Sequence, residues 1–232
     1  MTNVCLPCRL WRHGRMIYEG YFMKDFSITM ALVDYIPVIL FGAAAVILQR
    51  DLYNKMRKDA FALFAAGTIN VFCAGALKAT YKLLYAAGVC DFEPLNSMFF
   101  PVQSIGFLLA GFGMLAMFFF KQKSTAALAV APVVYKGTFL FVGLMVAGLG
   151  CMSVGLCILA VKMKKKSVIT LFVLAFVCSL CMGYLSSRDF AEASMNWIAE
   201  GVNVVGQGSL LAGVWMLHKA GLAELKLEKD VQ

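Results

Sequence analysis

The chain is poor in charge and in histidine. Charged residues fill 15% of its 232 positions against 61% hydrophobic, and no stretch is long and polar enough to fold as a separate soluble domain. Appended kinase, nuclease and nucleotide-binding modules are thereby excluded. Histidine occurs only at His13 and His218, too few for a His-rich zinc hydrolase or a haem site. No GxSxG, HExxH or phosphate-loop pattern is present. The one enzyme reading left open is an intramembrane lipid hydrolase built on carboxylates alone. The eight cysteines form no disulfide framework: Cys73, Cys151, Cys157, Cys178 and Cys181 sit inside apolar runs, where Cys acts as a small hydrophobe. The CxxC pairs at Cys5/Cys8 and Cys178/Cys181 lack a second pair of ligands. No metal and no cofactor is expected.

What the chain does have is a series of apolar runs long enough to span a bilayer, which takes about 20 residues. The expected fold class is therefore all-α, a polytopic transmembrane helix bundle. Six spans are evident, at about 29–48, 60–86, 98–120, 138–161, 168–185 and 194–219. Six crossings conflict with the tendency of Lys and Arg to stay cytoplasmic. Arg50, Lys55, Arg57 and Lys58 follow the first span, Lys121 and Lys123 the third, and Lys162, Lys164, Lys165 and Lys166 the next long one. A seventh, short crossing at 123–136, with lysines at both ends that can snorkel, puts all these clusters on one side. Seven helices, N-terminus outside and C-terminus cytoplasmic in the plasma membrane, is the expectation. Six helices, with 125–134 lying in the interface, is the alternative. The net charge of +8 is then explained by helix flanks, and nucleic acid is not an expected partner. Residues 1–22 carry Arg9, Arg12 and Arg15 without an apolar run of signal-peptide length. They read as a doubtful leader, with Met23 the expected start of a single domain over 23–232 if the gene is bacterial.

Parts of the chain repeat. Leu63-Phe64, Cys73, Gly75 and Leu77 recur as Leu171-Phe172, Cys181, Gly183 and Leu185, and Leu108-Leu109-Ala110-Gly111 as Leu210-Leu211-Ala212-Gly213. Repeat one covers about 29–120 and repeat two about 138–219, parallel to each other, with 123–136 as the inverting linker helix. This three-plus-one-plus-three layout is similar to that of the SWEET sugar carriers and PnuC vitamin carriers and, more loosely, of the rhodopsins. The resemblance is one of architecture. The Pro-Gln pair of SWEET-type helices is missing, no lysine stands in the membrane interior of the last helix, and no family site transfers.

Polar residues inside the spans locate a candidate site. The last span carries Asn196, Glu200, Asn203 and Gln207 within a wedge of roughly 60° on one helix face. A carboxylate in hydrocarbon normally faces a bundle interior or a wet cavity. Asp34, Gln103, Glu200 and Lys78, from four different spans, fall roughly 8–10 Å below the outer surface. Lys78 is the expected counter-ion of the two acids, and Lys82, one turn further out, is expected to snorkel. Asn70, Asn203 and Gln207 are expected to continue the polar lining, and Tyr35, Tyr81, Tyr184 and Trp197 to wall the pocket. The alternatives are a structural salt-bridge network with an aromatic belt, and amides that serve only to hold helices together.

The function expected from this pattern is a carrier for a small polar molecule or ion, coupled to proton exchange at Glu200 or Asp34. Membrane lipids and that small ligand are its expected partners. The rival class is a receptor-like sensing subunit, which would need a partner chain or a second copy because no output domain is present. The membrane-embedded lipid enzyme is the third.

Overall fold

The computed structural model describes residues 27–119, 138–185 and 193–225, plus a two-residue antiparallel ladder between β1 (Trp11–Arg12) and β2 (Arg15–Met16). The expected linker helix at 123–136, and the leader apart from that ladder, lie outside the described residues. The rest is helical, as its composition requires. The first rod joins α1 (Ile28–Val33) and α2 (Tyr35–Leu52). It is followed by α3 (Lys58–Ala86), the short α4 (Glu93–Ser97), α5 (Phe99–Phe119), α6 (Thr138–Lys162), α7 (Lys166–Leu185) and α8 (Ala193–Lys219). Among the described residues five of the six rods are long and apolar enough to cross a membrane. Only α8 is too polar, although its 27 residues exceed the roughly 20 that a crossing takes. Its polar residues are the ones singled out above.

The rods form a closed ring in which each packs on its neighbour in sequence and α8 returns to α2. Their directions follow from the contacts. Gln49 reaches Thr68 while Tyr35 reaches Thr80, so α2 and α3 are antiparallel. Gly67 lies on Gly106 and Ala110, and Gly113 on Ala60 and Phe64, so α3 and α5 are antiparallel as well. By contrast Ser104 bonds to the Phe141 carbonyl, Gly111 meets Gly148, and Gly155 meets Met114, so α5 and α6 run parallel. Phe119 and Thr138 therefore stand at opposite faces of the bundle. Gly150 on Phe176, and Gly206 and Gly213 on Cys178 and Phe172, make α7 antiparallel to both α6 and α8. His218 on Asp51 brings the C-terminal ends of α8 and α2 together, so these two are again parallel.

One face of the ring thus gathers Arg50, Lys55, Arg57, Lys58, Lys162, Lys164, Lys165, Lys166 and Lys219. At the other, Asp91 and Glu93 lie in the α3–α4 turn. Outward-facing side chains such as Ile39, Val46, Ile69, Phe112, Val154 and Val173 are exposed and apolar, as a hydrocarbon surround requires. The apolar core fills the half of the ring toward the basic face, around Leu48, Leu52, Phe64, Met114, Leu156, Phe172, Val214 and Leu217.

The tightest seams are made by glycine, whose missing side chain lets backbones touch. A β-carbon at Gly111 would overlap the Gly148 carbonyl oxygen, and one at Gly148 the backbone of Phe107 and Leu108. At Gly201 a β-carbon would meet nothing within 4 Å. Gly111→Val is therefore expected to abolish the folded, monodisperse protein on size-exclusion chromatography, while Gly201→Ala elutes and melts as the parent does. Equal behaviour of the two variants would contradict the close α5–α6 seam.

Candidate functional site

Helix α2 begins with a fault. A turn at Asp34 separates it from α1, and Pro37 follows three residues later. Proline has no N–H to offer the carbonyl four residues back, so the helix is loosened next to the carboxylate. Asp34 is 7% exposed and Glu200 of α8 is 6% exposed. The ammonium of Lys82, on α3, joins them: its Nζ lies 2.5 Å from Asp34 Oδ2 and 3.2 Å from Glu200 Oε1. Three rods are tied by one cation. The other oxygen of Glu200, Oε2, is buried without a hydrogen-bond partner.

The triad lies in the wall of a cavity of about 140 Å³ on the side of the bundle away from the basic face. Below Glu200, Asn203 and Gln207 continue the polar lining along α8, and Gln103 of α5 and Ser179 of α7 add to it. Gln207 Oε1 is a second buried acceptor without a partner. The apolar walls include Phe72, Phe99 and Phe100, and Lys78 holds its ammonium 4.0 Å from the Phe99 ring centroid. Toward the basic face Phe41 and Phe107, packed edge to face at 6.1 Å, stand between the cavity and a far smaller void of about 10 Å³, which Gln207 also lines, above the apolar core.

The sequence expectations meet this geometry unevenly. Asp34, Lys78, Gln103, Glu200, Asn203 and Gln207 all line the cavity. Asn70 is half-buried in α3 and is not in its wall. The counter-ion shared by the acids is Lys82, expected to snorkel, where Lys78 had been expected. Residues four apart share a helix face, and a lysine stem is long enough to span the intervening turn, so the outer of the two reaches down. The expected aromatic wall is also different. Tyr35 bonds to Thr80 at 2.8 Å, and Tyr81 donates to Asp91 or Glu93, each 3.1 Å away. Tyr184 and Trp197 are exposed at 59% and 44%. Phenylalanines form the wall because an unhydrated ring leaves no hydroxyl to satisfy. A run such as Phe99-Phe100 in an apolar helix gives no sign of which ring turns inward.

Sequence reasoning missed a second polar cluster, at the basic face. Asp51 is 3% exposed and its Oδ2 lies 2.7 Å from His218 Nδ1. Arg50 Nη2 lies 2.9 Å from His218 Nε2. A guanidinium can only donate, so Nε2 accepts and the arrangement calls for the tautomer with its proton on Nδ1, donated to Asp51. Lys55 completes the cluster by donating to the carbonyls of Ala223 (2.8 Å) and Leu225 (2.6 Å). Gly221, at φ +86°, makes the left-handed turn that brings those carbonyls back under the bundle. Two charged residues side by side at a helix end read as solvated flank, which is why Asp51 did not stand out.

Among the described residues no group of three or more His, Cys, Asp or Glu is placed to hold a metal ion. Compared with known proteins, the chain matches no family model, no curated protein and no solved structure. The functional reading therefore rests on the chemistry of the site.

Removing one member of a buried ion pair typically costs roughly 3–5 kcal/mol, because the charge left behind is uncompensated. Lys82→Met is expected to lower the melting temperature markedly, and a second change, Glu200→Gln, to restore part of the loss. A larger loss from Lys78→Met than from Lys82→Met would return the counter-ion role to Lys78.

Proposed function

We propose that this protein is a plasma-membrane carrier for a small polar molecule or ion, with the Asp34–Lys82–Glu200 triad as its binding and coupling centre. The observation that carries this reading is the buried triad at the wall of a cavity whose polar lining runs on through Asn203 to Gln207. A salt bridge serving stability alone needs no such continuation, and buried ion pairs contribute little to stability in any case. Glu200 or Asp34 exchanges protons: neutralising either one releases Lys82 from one of its two anchors, which couples proton binding to the helices the lysine ties together.

Seven crossings belong to the same proposal, with the N-terminus outside and the basic face in the cytoplasm. Parallel neighbours α5 and α6 support it, because the 18 residues between Phe119 and Thr138 join opposite faces of the bundle. The proposed crossing at 123–136, about 21 Å long as a helix, is short for a hydrocarbon core and relies on the lysines at its ends to snorkel. The lysines and arginines gathered on one face support the orientation.

The proposed duplication has independent support as well. Phe64 lies against Gly113 and Phe172 against Gly213; Gly67 lies against Gly106 and Ala175 against Gly206. Contacts within the first three rods thus recur within the last three, with the parallel α5–α6 seam matched by the parallel α8–α2 seam. This pairs Gly213 with Gly113, two residues from the register suggested by the Leu-Leu-Ala-Gly match. A pseudo-twofold axis normal to the membrane, with the cavity between the halves, is a common carrier arrangement. The closure at Phe41 and Phe107 favours a second reading, a binding or sensing protein with a blind pocket.

Reporter fusions after Lys123 and Lys166 are expected on the cytoplasmic side and a fusion after Lys136 on the other; opposite sides for Lys123 and Lys166 would end the seven-crossing proposal. In proteoliposomes challenged with a metabolite panel, the protein is expected to give pH-dependent uptake. Glu200→Gln keeps the shape of the side chain and is expected to abolish that pH dependence while leaving binding intact. A pocket that binds but never transports would establish the sensing alternative. A stable Glu200→Gln with full uptake and an unchanged pH response would remove Glu200 from the mechanism.

A further inference from the structure

The cavity already holds two primary ammonium groups, both supplied by the chain itself. One, Lys82, lies between the carboxylates of Asp34 and Glu200; the other, Lys78, lies over the ring of Phe99. These are the two surroundings that recognise an alkylammonium, paired carboxylates and an aromatic face. Glu200 adds an acceptor, Oε2, buried without a donor in the cavity wall. Gln207 adds another two turns further in. Both unmet groups are acceptors, so what the site lacks is a donor. A metal ion is a poorer match, because an ammonium already lies between the two carboxylates and, among the described residues, no third His, Cys, Asp or Glu joins them.

We propose that the ligand of this cavity is a small primary alkylammonium, and that Lys82 is a tethered stand-in which the ligand displaces from Asp34 and Glu200. This rests on the carrier reading for the identity of the site, and it adds the class of ligand. The charged groups lining the cavity are Asp34, Glu200, Lys78 and Lys82. Exchange of one ammonium for another leaves the charge facing the carboxylates unchanged, so the swap exposes no additional charge in a low-dielectric interior. The displaced lysine has somewhere to go: it lies one turn nearer the end of α3 than Lys78, and its stem can carry the charge outward to water. A volume near 140 Å³ leaves room for a short alkyl chain.

The test is ligand-induced thermal stabilisation of the full chain in lipid nanodiscs. The probe is ethylammonium chloride, set against equal concentrations of sodium chloride, sodium acetate and ethanol. Ethylammonium alone is expected to raise the melting temperature saturably, and the double change Asp34→Asn with Glu200→Gln, which removes both carboxylates, to lose that response. Lys82→Ala removes a competitor held in place at high effective concentration, so it is expected to bind ethylammonium about tenfold more tightly or better. If Lys82→Ala cannot be isolated without the amine but folds when ethylammonium is present throughout purification, the stand-in role is supported in another way. Should Lys82→Ala not fold even then, the comparison of probes on the unsubstituted chain decides. Saturable stabilisation by acetate or ethanol, or a response to ethylammonium no larger than to sodium, overturns the proposal. Uptake of a non-amine metabolite alongside such a result leaves the carrier reading standing. Tight amine binding without any uptake supports the ligand class and removes the carrier reading.

Discussion

A single ammonium group, that of Lys82, is shared by two carboxylates inside an apolar bundle, and much of the architecture follows from the need to keep it there. Hydrocarbon solvates neither charge, so each acid must find its partner within the protein. Asp34, Lys82 and Glu200 come from different rods, which fixes the depth of the first rod and of α8 against α3. The polar residues of α8 then have to face inward. With Asn203, Gln207 and Glu200 committed to the cavity, α8 turns Ile198, Val205 and Trp215 outward, and it remains the one rod too polar to qualify as a span by apolarity.

The seams between rods answer to a different constraint. Lipid offers apolar side chains as good a surround as protein does, so association depends on close packing and on polar contacts. Helices α3, α5 and α6 use the first route, through Gly67, Gly106, Gly111, Gly113 and Gly148. The contact of α2 with α8 uses the second, through the triad at one end and Asp51–His218–Arg50 at the other. Lys55 extends the second cluster to the carbonyls that follow α8, so the end of the chain's described part is fastened to the α2–α3 turn.

Much of this was legible in the sequence. Hydropathy located all six rods, and a carboxylate within the most polar of them located the cavity. Asp34, Gln103, Asn203 and Gln207 could be found because a buried polar group in an apolar run has few reasons to exist. The choice between Lys78 and Lys82 could not be read, since both occupy one helix face and a flexible stem decides which reaches the acids. The inner cluster was hidden for a different reason. Asp51 and His218 lie 167 positions apart, and they meet only because α2 and α8 run parallel in close register. Neighbouring identity in the ring is a tertiary fact that hydropathy does not encode. The inward-facing phenylalanines are a third kind of omission, since in a helix that is apolar all round periodicity no longer distinguishes the buried face from the lipid face.

The two parallel seams differ in what it takes to part them. Separating α5 from α6 would undo backbone contact between Gly111 and Gly148 together with the Ser104 bond to the Phe141 carbonyl, and it would open a void along the whole contact. Separating α2 from α8 would break side-chain pairs at the two ends of the seam, and each of those pairs has an exchange partner within reach. At the triad, a proton or a second cation can take the place of Lys82 on a carboxylate. At the basic face, water can take up Arg50 and His218, which are already partly exposed, and leave Asp51 as the group that resists. Packed cores switch between discrete arrangements more readily than they deform. In this ring the backbone-tight seam is the costlier to part, and the seam bridged by side-chain charges is the one that a change of proton or cation at a carboxylate reaches.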